Sequence, residues 1–243
     1  MGVQPVLQFS SGPVEYHVVR SRRRSVAVSV TEEGDIRVHA PNRATLDEIH
    51  QVAQGFRAWI ERRRAEVLVR RSRLAARRFV EGDQIPFCGG QLTLRVSEVD
   101  SDPAAAELRD GELHVQLSEG APAADRSALA RHAVLAWCLL QAQEQVHQRH
   151  REFAPQVGTS AVRIVLKEMK TRWGSCGPNR RMSLNWRLIL APPHVLDYVI
   201  VHELCHVFEP NHSRAFWRRV EAVLPAARTS RKWLRRHGED LVL

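Results

Sequence analysis

Residues 202–206 read His-Glu-Leu-Cys-His. On a helix, residues four apart stand one above the other on a single face. The imidazoles of His202 and His206 can then share one tetrahedral zinc ion, each at about 2.0–2.1 Å. Glu203 leaves such a helix at a different angle. It is poorly placed as a further ligand but can reach a water on the metal. Zinc lowers the pKa of that water to about 7, and a carboxylate can take its proton during attack. The third ligand must come from another segment. Pro210 stops the helix, and His212 follows it, six residues beyond His206. A chain reversal there returns an imidazole to the metal. Glu209, close to the helix end, and Glu221, on the following helix, are the alternatives. Three protein ligands leave the fourth position open, as a catalytic rather than a structural site requires.

The H-E-x-x-H pattern also arises by chance, so its setting matters. Here it follows Val195-Leu196-Asp197-Tyr198-Val199-Ile200-Val201, a mostly apolar run. Two histidines and a glutamate on a buried helix are costly without a partner. A metal supplies one. The longer pattern H-E-x-x-H-x-x-G-x-x-H has the same histidine spacing, but Glu209 occupies its glycine position. The methionines, Met1, Met169 and Met182, all lie upstream, so the methionine turn of that class is missing. The metzincin reading fails. Cys205 falls off the His202/His206 stripe and reads as core. Tyr198 shares the stripe, one turn before His202, and can either polarise a carbonyl or simply pack.

These residues need elements to hold them. Pro192-Pro193 opens the histidine helix in the manner of an N-terminal proline, and it is expected to run to about Glu209. Ser213 caps a helix over Arg214–Leu224, and Thr229 or Ser230 a short last one. Val162, Ile164 and Leu166 alternate as a strand. Met182, Leu184, Trp186, Leu188 and Leu190 alternate as another. The loop between these strands carries Arg172-Trp173-Gly174-Ser175-Cys176, expected as an edge or turn beside the metal helix. As an edge it can pair with an extended substrate, which makes Arg172, Trp173 and Gly174 candidate substrate contacts. As packing, Trp173 is core and Gly174 allows a tight backbone.

The N-terminal part reads as strands with one long helix. Val26, Val28 and Val30, a Gly34 turn, then Ile36 and Val38 form a hairpin pattern. Thr45 and Glu48 form a capping box for a helix expected to run on towards Arg78. Strand patterns return over 79–96 and at Leu113, Val115 and Leu117, with Ser101–Ala106 as a surface loop. A second helix is expected over about 127–151. The composition turns to Ala, Pro and Gly over Gly120–Asp125. A boundary there separates a lobe over 1–122 from a catalytic lobe over 123–243. No internal repeat is visible.

Four blocks resemble the YgjP-like metallopeptidases, relatives of the SprT-type and WLM peptidases. They are Arg172–Cys176, Leu184-Asn185-Trp186-Arg187-Leu188, Asp197–His206 and Asn211-His212-Ser213-Arg214-Ala215-Phe216-Trp217. The Val80–Gly90 segment is similar less specifically. The resemblance implies an α+β chain with an N-terminal strand-rich lobe and a C-terminal zincin-like lobe. It implies zinc held by three histidines, mapping onto His202, His206 and His212, with Glu203 as base. Some family members are described as nucleotide pyrophosphatases. Hydrolysis of a nucleoside triphosphate, with Arg172, Arg180 or Arg181 on the phosphates, is therefore the alternative to peptide cleavage. Against it, there is no G-x-x-x-x-G-K-[ST] loop and no carboxylate cluster for Mg2+.

The 243 residues carry a net charge of +9. Residues 1–80 hold +7, 81–160 hold −6 and 161–243 hold +8. Only Lys167, Lys170 and Lys232 are lysines, so an arginine-rich genome accounts for much of the excess. Weak, non-specific nucleic-acid binding through the basic surface is the remaining functional reading, and a peptidase recruited to nucleic acid in the SprT manner is its extension. The four cysteines form no C-x-x-C pair, which disfavours a disulfide framework and fits a reducing compartment. The start lacks a leader pattern, and the longest apolar run, Ala133–Leu140, is too short to span a bilayer. A cytoplasmic protein acting on peptide or protein substrates, without membrane contact, is expected.

Overall fold

The structure is a computed structural model that describes residues 5–100, 105–159, 163–169, 171–177 and 179–243. It is a mixed α+β chain with two compact units, Met1–Ala76 and Arg77–Leu243. The division does not fall at 122/123, where the composition shift placed it. The strands before residue 122 and the long helix after it bury their apolar faces in one core, so no boundary separates them.

The first unit holds β1 (Val6–Phe9), β2 (Gly12–Ser21), β3 (Ala27–Val30) and β4 (Ile36–Pro41) in the order β1-β2-β4-β3. Tyr16, Ile36, Val38, Ile49 and Ile60 are fully buried in its core. The Thr45/Glu48 capping box is present and starts α1 (Leu46–Gly55). The expected single helix is broken at Phe56 before α2 (Arg57–Ala76). Gly55 ends α1, and glycine is a weak helix former.

The second unit begins with β5 (Gln84–Phe87), β6 (Gly90–Val99), β7 (Ala105–Arg109) and β8 (Glu112–Ser118) in the order β5-β6-β8-β7. This sheet repeats the first one. In each, the first pair is antiparallel, the middle pair parallel and the last pair antiparallel. The hairpin registers match too: Phe9 faces Gly12 as Phe87 faces Gly90. A repeat is therefore present in the fold, although side-chain identity does not reveal it. Of the expected loop over Ser101–Ala106, residues 101–104 lie outside the described residues, and Ala105 and Ala106 belong to β7.

The helix α3 (Arg126–Val157) runs past the expected residue 151 and ends at Gly158 in the left-handed conformation. It packs on the histidine helix α4 (Pro193–Cys205), and the Arg149–Asp197 ion pair at 3.1 Å joins the two. The turn between β5 and β6 also abuts α4: a Cβ on Gly89 would lie 2.7 Å from Pro192 Cγ and 2.9 Å from its Cα, so the position has room only for glycine. A third sheet holds β9 (Arg163–Lys167), β10 (Gly174–Cys176) and β11 (Arg181–Asn185) in the order β10-β11-β9. The strand expected through Leu190 stops at Asn185, and Trp186–Leu190 form a 3-10 helix. The Asn185 side chain accepts from Arg187 N–H at 3.2 Å and donates to the Met169 carbonyl at 2.9 Å. Such a local cap competes with the strand ladder. The chain ends with α5 (Arg214–Val223), capped by Ser213, and α6 (Ala227–His237). Thr229 and Ser230 lie inside α6 rather than capping it, since the helix starts earlier.

Candidate metal centre

The helix α4 buries Val195, Leu196, Val199, Ile200, Val201, Leu204 and Cys205. It ends sooner than Pro210 requires, with His206 as its C-cap. The next turn tightens through Val207 N–H to Leu204 and Phe208 N–H to Cys205. His206 keeps helical backbone angles, so its ring still stands beside that of His202, with centroids 4.9 Å apart. The chain then reverses and brings His212 back.

His202, His206 and His212 each offer a nitrogen, and these atoms all lie within 4.8 Å of one another. The Nε2 atoms of His202 and His212 are 3.0 Å apart. Two ligands of one tetrahedral zinc would stand about 3.3 Å apart. The far nitrogens have other partners. His206 Nδ1 sits 2.9 Å from the Glu209 carbonyl, and His202 Nδ1 sits 3.5 Å from the Tyr198 hydroxyl. Such outer contacts orient a ligand ring towards its metal. Phe216, fully buried on α5, touches all three imidazoles at 4.6–4.9 Å between centroids. It forms the floor of the cluster, a role that helical spacing alone marks only as core.

Electrostatics favour a cation ligand set. Burial, then His206, His212 and Arg231, hold the His202 pKa down at about 3. His212 is lowered by burial, His206 and Arg231. These two imidazoles are therefore neutral at pH 7. Glu203 is 5% exposed. Burial raises its pKa to about 7, against the opposing pull of the Cys176 N–H and Arg172. Its Oε2 is buried without a hydrogen-bond partner among the described residues.

The β10 strand frames this carboxylate. Asn185 N–H donates to the Trp173 carbonyl on the paired side. By the alternation of an antiparallel ladder, Gly174 and Cys176 turn their backbone groups to the open edge, where Cys176 N–H meets Glu203. A Cβ on Gly174 would lie 2.6 Å from Glu203 Oε1, so any side chain there must push the carboxylate from its place. Trp173 is half-buried and packs on the core and on Gly238, where a Cβ would meet its ring at 2.9 Å. Arg172 is exposed. Tyr198 is buried behind His202 rather than open to solvent. The alternative ligands lie outside the cluster: Glu221 pairs with Arg228 at 2.8 Å, and Glu209 offers its carbonyl to His206. Lys170 and Pro178 of the same loop lie outside the described residues.

The sequence model of the YgjP-like metallopeptidase domain matches residues 24–237. The chain belongs to the YgjP-like metallopeptidase family. The match spans both compact units of this YgjP-like chain. No curated protein matches the chain. Among solved structures, it is similar to the metallopeptidase zymogen abylysin of Pyrococcus abyssi, with 21% identity over 39% of this chain and 93% of that one. The TM-score is 0.35, too low to inform the fold. Among the described residues, no helix is long and apolar enough to cross a membrane.

Proposed function

We propose that this YgjP-like chain is a zinc-dependent peptidase, with His202, His206 and His212 as ligands and Glu203 as general base. The observation that carries the reading is the convergence of three imidazole nitrogens, one of them from the residue next to Glu203, whose buried carboxylate oxygen has no partner among the described residues. The donor set fits the ion: neutral imidazoles suit zinc, and three of them leave a position open. Bound there, zinc would polarise a carbonyl and acidify a water.

The residues of the chain supply the rest. Glu203, with a pKa near neutral, is poised both to take a proton from the attacking water and to return it to the leaving amine. The Cys176 N–H holds one side of the carboxylate, so the unpartnered Oε2 is the atom that faces the reaction. Tyr198 and the Glu209 carbonyl fix the His202 and His206 rings. The outer edge of β10, where Glu203 takes the Cys176 N–H, leaves the Gly174 backbone for pairing with an extended peptide, and the Arg172 charge adjoins it. The test is metal analysis of purified protein, joined to a hydrolysis screen over peptides and nucleotides. About one zinc per chain and peptide cleavage abolished in Glu203→Gln are expected. Nucleotide hydrolysis without peptide cleavage would replace this reading.

A further inference from the structure

Arg231 stands on the exposed side of α6. Its Cζ lies 4.5 Å from the ring centroid of Trp217. The same indole stacks on His212 at 5.8 Å and 23°, and its centroid is 5.9 Å from that of His202. An aromatic face therefore holds this guanidinium at the rim of the three-imidazole cluster. Several other arginines of the unit are neutralised by carboxylates. Arg149 pairs with Asp197 at 3.1 Å, Arg187 with Glu168 at 2.6 Å and Arg228 with Glu221 at 2.8 Å. Among the described residues, no carboxylate pairs with Arg231.

An uncompensated cation is an unfavourable neighbour for a site that collects a metal ion, because like charges repel over this range. It becomes favourable when substrate brings an anion. The guanidinium suits a carboxylate, which its planar fork binds through two parallel hydrogen bonds. Stacking on Trp217 fixes the plane of the fork and leaves its edge open. The charge is tied to the site through one ring: Trp217 contacts the guanidinium on α6 and the imidazoles of His212 and His202. A second exposed cation, Arg172, lies two residues before Gly174, which packs against Glu203. Two exposed cations thus stand near the cluster, an arrangement that favours acidic chains over basic ones.

We propose that Arg231 is a specificity-determining residue that receives the side-chain carboxylate of an acidic peptide next to the bond to be cleaved. This rests on the peptidase reading and names its substrate class. The test uses the zinc-loaded full chain and C-terminally amidated peptides of one frame. Glu, Gln or Lys is placed in turn at each position flanking the scissile bond, and kcat/KM is measured. At one position Glu should exceed Gln by about tenfold, the size of one charged hydrogen-bonded contact, with Lys the poorest. Arg231→Gln should bring the Glu-to-Gln ratio close to unity. Arg231→Glu should make Lys the preferred residue, with zinc content unchanged in both variants. Cleavage without acidic preference at any position, or a preference that survives Arg231→Gln, would overturn this assignment alone. Cleavage of no peptide at all, beside turnover of nucleotides, would remove the peptidase reading together with it.

Discussion

Replacing Glu203 by Gln should stabilise the metal-free protein while abolishing its hydrolysis. The carboxylate is 5% exposed, and burial raises its pKa from 4.5 to about 7. The folded state thus binds the proton more tightly than the unfolded chain. Stability is full below pH 4.5, falls as pH rises, and has lost this contribution once pH passes about 7. The difference corresponds to about 3 kcal/mol at pH 8, and to roughly half that at pH 5.5. Glutamine has the shape of the protonated acid and keeps an acceptor for the Cys176 N–H, so it escapes the cost. Urea unfolding of both proteins in chelator, at pH 5.5 and 8, measures the gain as a shift in midpoint at constant m. Other titrating groups cancel in the comparison. A Gln variant that is less stable than wild type at pH 8, or a gain that does not grow with pH, would refute the reasoning. With zinc restored, turnover should fall by about 10²–10⁴, the usual loss of a general base.

His212→Ala should weaken zinc binding far more than Glu221→Ala in a chelator titration, because Glu221 is engaged with Arg228. Gly174→Ala should displace Glu203, since its Cβ would lie 2.6 Å from Oε1; a stability loss of about 1–3 kcal/mol and loss of activity with zinc retained are expected, read by denaturation and metal analysis. All four cysteine thiols have raised pKa values, Cys138 to about 12 and Cys205 to about 11. Native protein should therefore react slowly with an alkylating reagent at pH 7, and fast labelling by mass spectrometry would contradict the burial. DNA binding should be weak and steeply salt-dependent, with a slope of about −0.9 per phosphate contacted. Arg22→Gln with Arg24→Gln should lower that slope; Arg64 contributes less, because its Nε already donates to the Gly34 carbonyl.

The clustering of the three histidines was legible because it is local. His202 and His206 lie one helical turn apart, so their spacing alone predicts a shared face, and Pro210 predicts a reversal that returns His212. The Thr45/Glu48 cap, the hairpin at Gly34 and the Ser213 cap were legible for the same reason: each rests on bonds between near neighbours. What lies far apart in the chain was not. The alternation through Leu190 reads as one strand, yet Asn185 diverts it by bonding to Met169, sixteen residues away. The boundary at residue 122 follows composition, whereas the real division follows which faces share a core. The duplicated sheet is invisible in residue identities because register constrains only burial and hydrogen bonding, which many side chains satisfy. Gly174 and Arg231 show the same limit at the site. Only the packing of β10 on α4 makes a Cβ collide with Glu203, and only the stacking of α6 on Trp217 brings a guanidinium to the imidazoles. Spacing along a helix is set by the backbone repeat, but contact between helices and strands is set by the shapes that the whole core has to fill.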